Sequence, residues 1–174
     1  VNDFLLLTRG AKKSAKNEAV AVVKTIQDIL VLLRARRKIS PSHELTTSFQ
    51  IKPRVYIDAN HFHQIIWNLI VNALEAMPAG GELFICVDDD AGSSDHSIFR
   101  IDIRDTGFGI AEDIREKMSE PFFTTKKNGI GLGLSVVYQL VENSGGRIEV
   151  TRHNGPGTTF SLFFPHYAPF PLAK

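Results

Sequence analysis

From Phe62 to Met77 the apolar residues Phe62, Ile65, Ile66, Leu69, Ile70, Ala73, Leu74 and Met77 recur three and four apart, the spacing of one buried helical face. A helix with such a face lies against a core. A polar stripe runs beside it: at about 100° per residue, Gln64, Asn68, Asn72 and Glu75 fall within a sector of roughly 60°. Carboxamides half sunk beside a core need partners, because an unpaired buried amide costs on the order of 1–3 kcal/mol. A bound ligand is one way to supply them.

The chain has room for one domain around this helix. Its 174 residues, 43% apolar and 22% charged, describe a globular protein with at most a short appendage. A formal charge of +1 gives no steering toward nucleic acid or anionic lipid. No span approaches the roughly 18 apolar residues of a membrane helix, and no signal peptide opens the chain. The single cysteine, Cys86, excludes an internal disulfide framework and reads as packing in a strand. The expected setting is cytoplasmic, with any membrane anchor in segments not present.

Val1 to Arg9 reads as the last turns of a helix cut off from its beginning, followed by a lysine-rich connection. Glu18 to Arg37 has helical spacing at Ala19, Val22, Val23, Ile26, Ile29, Leu30 and Leu33, with the basic run Arg34, Arg36, Arg37 and Lys38 suiting a helix C-terminus and Pro41 stopping it. Leu45–Ile51 and Arg54–Ile57 read as strands. Asp58 is placed to cap the central helix, and Pro78 with Gly80–Gly81 ends it. Leu83–Val87 and Ile98–Arg104 are strands joined by a polar loop, and Ala111–Lys117 fits a short helix. Glu120–Gly133 is a glycine- and lysine-bearing loop, and Gly131–Asn143 is helical. Arg147–Thr151 and Thr158–Phe164 close the chain, with a loose tail from Pro165. About three long helices and six strands, interleaved, predict an α+β fold with a helical layer on one mixed sheet.

Three further stations are polar or glycine-rich. In the strand Phe99, Ile101, Ile103, a period of two puts Asp105 next in the inward row, where a carboxylate is costly unless something donates to it. Gly107 and Gly109 follow and leave room for a planar group near the backbone. Asp105 fits an acceptor for an adenine amino group and equally a cap for the helix near Ala111. Thr158 lies in register with Phe160, Leu162 and Phe164; such a hydroxyl is usually satisfied by backbone. Gly129-Ile130-Gly131-Leu132-Gly133-Leu134 leads into a helix, where bare N–H groups and the helix dipole favour an anion, with Lys126 and Lys127 just upstream. Neither the Walker pattern nor the Rossmann context matches.

Taken in order, NLIVNALEA, DTGFGI, EPFFTTK, GIGLGL and GTTF resemble the asparagine, first glycine, phenylalanine and second glycine boxes and final strand of an ATP-binding domain. It is the one shared by sensor histidine kinases, gyrase, Hsp90-type chaperones and MutL. The resemblance covers roughly Glu44 to Pro165 and implies a two-layer α/β sandwich of Bergerat type with three long helices on one face of a mixed sheet. It makes Asn72 the Mg2+ ligand and Asp105 the adenine acceptor, with Thr158 beside it. It gives Gly107 and Gly109 to the base pocket, and the phosphates to Gly131, Leu132 and Gly133 on a lid that includes Lys126 and Lys127 and is anchored by Phe122 and Phe123. Glu75, Ala76, Ile110, Thr125 and Leu134 complete the implied nucleotide contacts. Asn68, Asn72 and Lys126 are the implied catalytic residues. The lid is short, as in the nitrogen-regulatory type.

Hydrolysing branches of this superfamily carry a glutamate one helical turn before the magnesium asparagine, where this sequence has Asn68. A carboxamide cannot take a proton. The resemblance therefore implies a protein-histidine kinase of two-component signalling that holds the γ-phosphoryl of Mg-ATP for a histidine; an ATPase or chaperone-like module and a non-catalytic nucleotide sensor are the alternatives. Ser42-His43-Glu44-Leu45 echoes a phosphoacceptor box, but the residues between His43 and Asp58 cannot hold a two-helix hairpin. The expected division is 1–16, a remnant of the phosphoacceptor hairpin and linker; 17–166, the ATP-binding domain; and 167–174, the tail. The implied partners are a histidine phosphoacceptor domain and, through the whole protein, a response regulator. This piece alone is expected to be a monomer, the whole protein a homodimer.

Overall fold

A computed structural model describes residues 16–90, 97–110, 133–152 and 156–167. The elements in order are β1 (Glu18–Ala21), α1 (Val22–Ala35), β2 (His43–Phe49), β3 (Arg54–Ile57), α2 (Ala59–Glu75), β4 (Gly81–Asp89), β5 (Ile98–Asp105), α3 (Gly133–Asn143), β6 (Arg147–Arg152) and β7 (Thr158–Pro165). Five strands form one sheet in the order β2-β4-β5-β7-β6, and β1 pairs with β3 in a second, two-stranded sheet. Only the β2–β4 pairing in the large sheet is parallel, so the sheet is mixed and the fold α+β.

The period of two along the sheet decides what is buried. Leu83, Ile85 and Val87 of β4, Phe99, Ile101 and Ile103 of β5, and Leu162 and Phe164 of β7 are fully enclosed. They share one core with Ile26, Ile29 and Leu33 of α1, Phe62, Ile65, Ile66, Leu69 and Ile70 of α2, and Val137 and Val141 of α3. Each such side chain contributes roughly 1.5–3 kcal/mol by leaving water. This burial, rather than helix propensity, holds α2 in place. Among the described residues no helix is long and apolar enough to cross a membrane.

Both ends of α2 form as their residues dictate. Asp58 Oδ1 accepts from the N–H groups of Asn60 (2.8 Å) and His61 (3.2 Å). Burial alone would raise the Asp58 pKa; those N–H groups and the nearby His61 charge bring it below the ordinary carboxylate value. At the other end Pro78 breaks the ladder, and Gly80 turns at φ +99° against Ser42, whose carbonyl a Cβ would meet at 2.4 Å.

The structure corrects several element boundaries. Glu18–Ala21 is a strand rather than the first turn of a helix, because its backbone is bound antiparallel to Arg54–Ile57 and buries Val20 opposite Val55. The described residues therefore hold seven strands rather than six. β2 begins at His43, not Leu45, since it runs in parallel register with β4 from Gly81 onward. His43 Nδ1 accepts the Ser40 N–H (3.1 Å), so Nε2 carries the proton and donates to Met77 O (3.1 Å). That is a strand residue tying two turns together, not a helical phosphoacceptor. The tail is not loose at its start: His166 N–H donates to Ser97 O (2.8 Å), Tyr167 N–H to Arg54 O (2.9 Å), and the Tyr167 ring stacks on Tyr56. Val1–Arg9, the lysine-rich connection up to 15, Ala111–Lys117, most of the loop that follows and the tail from 168 lie outside the described residues.

Candidate nucleotide-binding site

Along the polar stripe of α2, Gln64, Asn68 and Asn72 are half-buried and Glu75 is exposed. Asn68 Nδ2 donates to Gly133 O at 3.4 Å, which brings the first residue of α3 against the middle of the stripe. A Cβ on Gly133 would meet nothing within 4 Å, so packing among the described residues does not require glycine there. Leu134 packs on the core.

At the end of β5, Asp105 continues the inward row of Phe99, Ile101 and Ile103 and is only 3% exposed. Its Oδ1 accepts the Gly107 N–H at 2.8 Å, which folds the chain tightly after the strand. Phe108 N–H donates to Ala76 O at 3.2 Å, joining this loop to the last turn of α2. Gly107 is glycine for want of space rather than for its φ: a Cβ would lie 2.3 Å from Ala76 O. Gly109, at φ +74°, faces Gly157, and a Cβ on Gly157 would strike Asp105 O at 2.1 Å. The ladder pairs Arg104 with Thr159, and one step further sets Thr158, itself 4% exposed, beside Asp105.

These ties bring the stations together. Ala76 is one helical turn beyond Asn72, whose carbonyl accepts the Ala76 N–H. The loop Asp105–Gly109 sits against the end of α2, the start of β7 sits against that loop, and the start of α3 sits against the middle of α2. Asn68, Asn72, Glu75, Ala76, Asp105, Gly107, Gly109, Gly133 and Thr158 thus share one region, with Ile110 packed on the core beside it. Phe122, Thr125, Lys126, Lys127, Gly131 and Leu132 lie outside the described residues. Thr106 of DTGFGI and Gly157 of GTTF have contacts here that the motifs alone do not give. Gly157 opens GTTF, and only the pairing of β5 with β7 reveals that it must stay small for Asp105. Gly107 packs against Ala76 and Gly157 against Asp105, so close contact with protein backbone accounts for both glycines beside the buried carboxylate. Among the described residues no group of three or more His, Cys, Asp or Glu could hold a metal ion.

A family model described as histidine kinase-, DNA gyrase B- and HSP90-like ATPase matches residues 57–168. Sporulation kinase E of Bacillus subtilis (strain 168) is 33% identical over 165 residues, which are 95% of this chain and 22% of that protein. The chain thus spans about a fifth of the length of this curated relative. The nucleotide-free catalytic domain of histidine kinase ThkA matches with a TM-score of 0.74 at 28% identity, covering 87% of this chain and 96% of that one. Full-length ShkA in complex with AMPPNP matches with a TM-score of 0.71 at 26% identity, covering 97% of this chain and 36% of that one.

Proposed function

Because this chain belongs to the histidine kinase-, DNA gyrase B- and HSP90-like ATPase family, we propose that it binds Mg-ATP and donates the γ-phosphoryl to a histidine of a two-helix phosphoacceptor domain. The observation that carries this reading is the pair Asp105 and Thr158, buried on neighbouring strands where the loop after Asp105 is bonded to the end of the helix that bears Asn72. In that reading Asp105 accepts the adenine amino group, Thr158 supports it, and Gly107, Gly109, Ala76 and Ile110 shape the base pocket. Asn72 ligates Mg2+ through its side-chain oxygen, and the ion, when bound, neutralises triphosphate charge. Asn68 and Asn72 orient the phosphate end, Glu75 orders the ion's water shell, and Gly133 and Leu134 open the helix that follows the glycine-rich loop. Lys126, with Lys127, adds positive charge there.

The name of ThkA, a histidine kinase, favours transfer to histidine over hydrolysis, and the AMPPNP bound by ShkA, an ATP analogue, supports nucleotide binding. The proposed division is hairpin remnant and linker at 1–16, ATP-binding domain at 17–166 and tail at 167–174. Through the whole protein the partner beyond the phosphoacceptor is a response regulator.

Calorimetric titration with ADP and Mg2+ tests the site. Asp105→Asn weakens binding by about tenfold or more, the loss of a charge-assisted hydrogen bond, and Asn72→Ala removes the Mg2+-dependent part of the affinity. Wild-type binding by both variants would end the reading. Labelled ATP with a supplied phosphoacceptor hairpin then separates the chemistries. Acid-labile label on the hairpin marks transfer, whereas brisk phosphate release without it marks an ATPase.

A further inference from the structure

Thr106 stands between Asp105 and Gly107, yet its side chain faces the other way. It lines a groove of about 250 Å³ on the open side of the sheet with Thr46, Glu82, Phe84 and Arg104. Its hydroxyl is engaged twice: Oγ1 accepts the Glu82 N–H at 2.9 Å and donates to Met77 Sδ at 3.6 Å. The β4–β5 ladder ends at the pair Leu83 and Asp105. Its next rung would join Glu82 to Thr106, and here the threonine side chain takes that rung in place of the main chain. The backbone is thereby released to turn into the glycine loop while Asp105, one bond earlier, stays fixed to β4. Surrounding elements leave this junction little play. A Cβ on Gly81 would lie 2.8 Å from Thr106 Oγ1, and one on Gly157 would lie 3.0 Å from Thr106 Cα.

We propose that Thr106 is a positioning residue that sets the orientation of the Asp105 carboxylate and, through it, the preference for a purine with a 6-amino group over one with a 6-carbonyl. The proposal rests on the reading of Asp105 as the adenine acceptor. A carboxylate rewards a donor at that position and opposes an acceptor, and the size of the difference depends on its alignment. Loss of the Glu82 bond costs little fold stability, because Glu82 is exposed and water replaces the acceptor. Selectivity is therefore the sensitive readout.

The test is the affinity of the whole chain for ATP and for inosine triphosphate, each with Mg2+, in wild type and in Thr106→Val, Thr106→Ser, Thr46→Val and Asp105→Asn, with melting temperatures alongside. Wild type prefers ATP by about tenfold or more, and Thr106→Val, which keeps the shape and loses the hydroxyl, cuts that ratio roughly threefold to tenfold. Thr106→Ser keeps the oxygen and stays within about twofold of wild type. Thr46→Val, in the same groove, leaves the ratio unchanged. Equal weakening of both nucleotides by Thr106→Val, or no change in either, overturns the positioning role. Should Asp105→Asn keep the wild-type ratio, the adenine reading itself fails; should it erase the ratio while Thr106→Val preserves it, only the role of Thr106 fails.

Discussion

Replacing Gly107 with alanine should damage both the fold and the site. The new methyl would stand 2.3 Å from Ala76 O and 2.7 Å from the Ala76 carbonyl carbon, where ordinary contact begins near 3.4 Å. The loop or the helix end must therefore give by about 1 Å, and neither is soft. Ala76 N–H is bound to Asn72 O, and the loop is bound through Phe108 N–H to Ala76 O and through Gly107 N–H to Asp105 Oδ1. Overpacking costs roughly 1–3 kcal/mol, and each strained or broken bond about 1 kcal/mol more, so a total of about 2–4 kcal/mol is expected. Gly107 does not lie in the left-handed region, so backbone strain adds nothing to this figure. Urea unfolding of Gly107→Ala reads the cost, with Gly133→Ala as the stability comparison, because a methyl at Gly133 meets nothing within 4 Å. ADP affinity should fall by roughly tenfold or more, since displacement of about 1 Å misaligns the Asp105 carboxylate. A Gly107→Ala protein with the wild-type urea midpoint and undiminished ADP affinity would refute the close-packing argument.

Two titrating groups give further outcomes. Burial lowers the His63 pKa, partly opposed by the charge of Asp28, and the ring stacks on Trp67 at 6.0 Å. Since the folded value lies below the unfolded one, the contribution of the neutral ring is complete above about pH 6.5 and is lost as the pH falls through the folded value. His63→Phe keeps the stack and should lose less stability than wild type between about pH 7.5 and pH 5.5 in urea titrations; parallel losses would count against it. Asp58→Ala removes the cap of α2 and should cost about 0.5–2 kcal/mol near neutral pH. The Asp58 pKa is depressed, so its contribution is present above the ordinary value of 3.8 and fades as the pH falls through the folded value. A gap between the two proteins that stays constant down to strong acid would contradict this.

What could be read beforehand was whatever local periodicity controls. Asp58, the buried face of α2 and the inward place of Asp105 follow from spacings of two, three and four residues, and the structure has them as read. Glu18–Ala21 shows the opposite case. Its run into Val22 and Val23 suits a helix or a strand, and only the distant partner Arg54–Ile57 decides. The roles of Thr106 and Gly157 were hidden for the same reason. Each is set by what another strand brings within 3 Å, and no spacing along the chain encodes such a meeting.

Position 68 links the chemistry to the packing. Asn68 donates its amide to the carbonyl of Gly133, the residue at which α3 begins. A glutamate in its place would set a carboxylate against that carbonyl oxygen, two acceptors with no proton between them. The repulsion would push the start of α3 away from α2 or raise the carboxyl pKa until it held a proton, and a protonated carboxyl is no base. The same contact that fixes α3 against the stripe thus disfavours a general base one turn before Asn72. Phosphoryl transfer to a supplied nucleophile, governed by positioning and charge neutralisation, suits such a site better than activation of water.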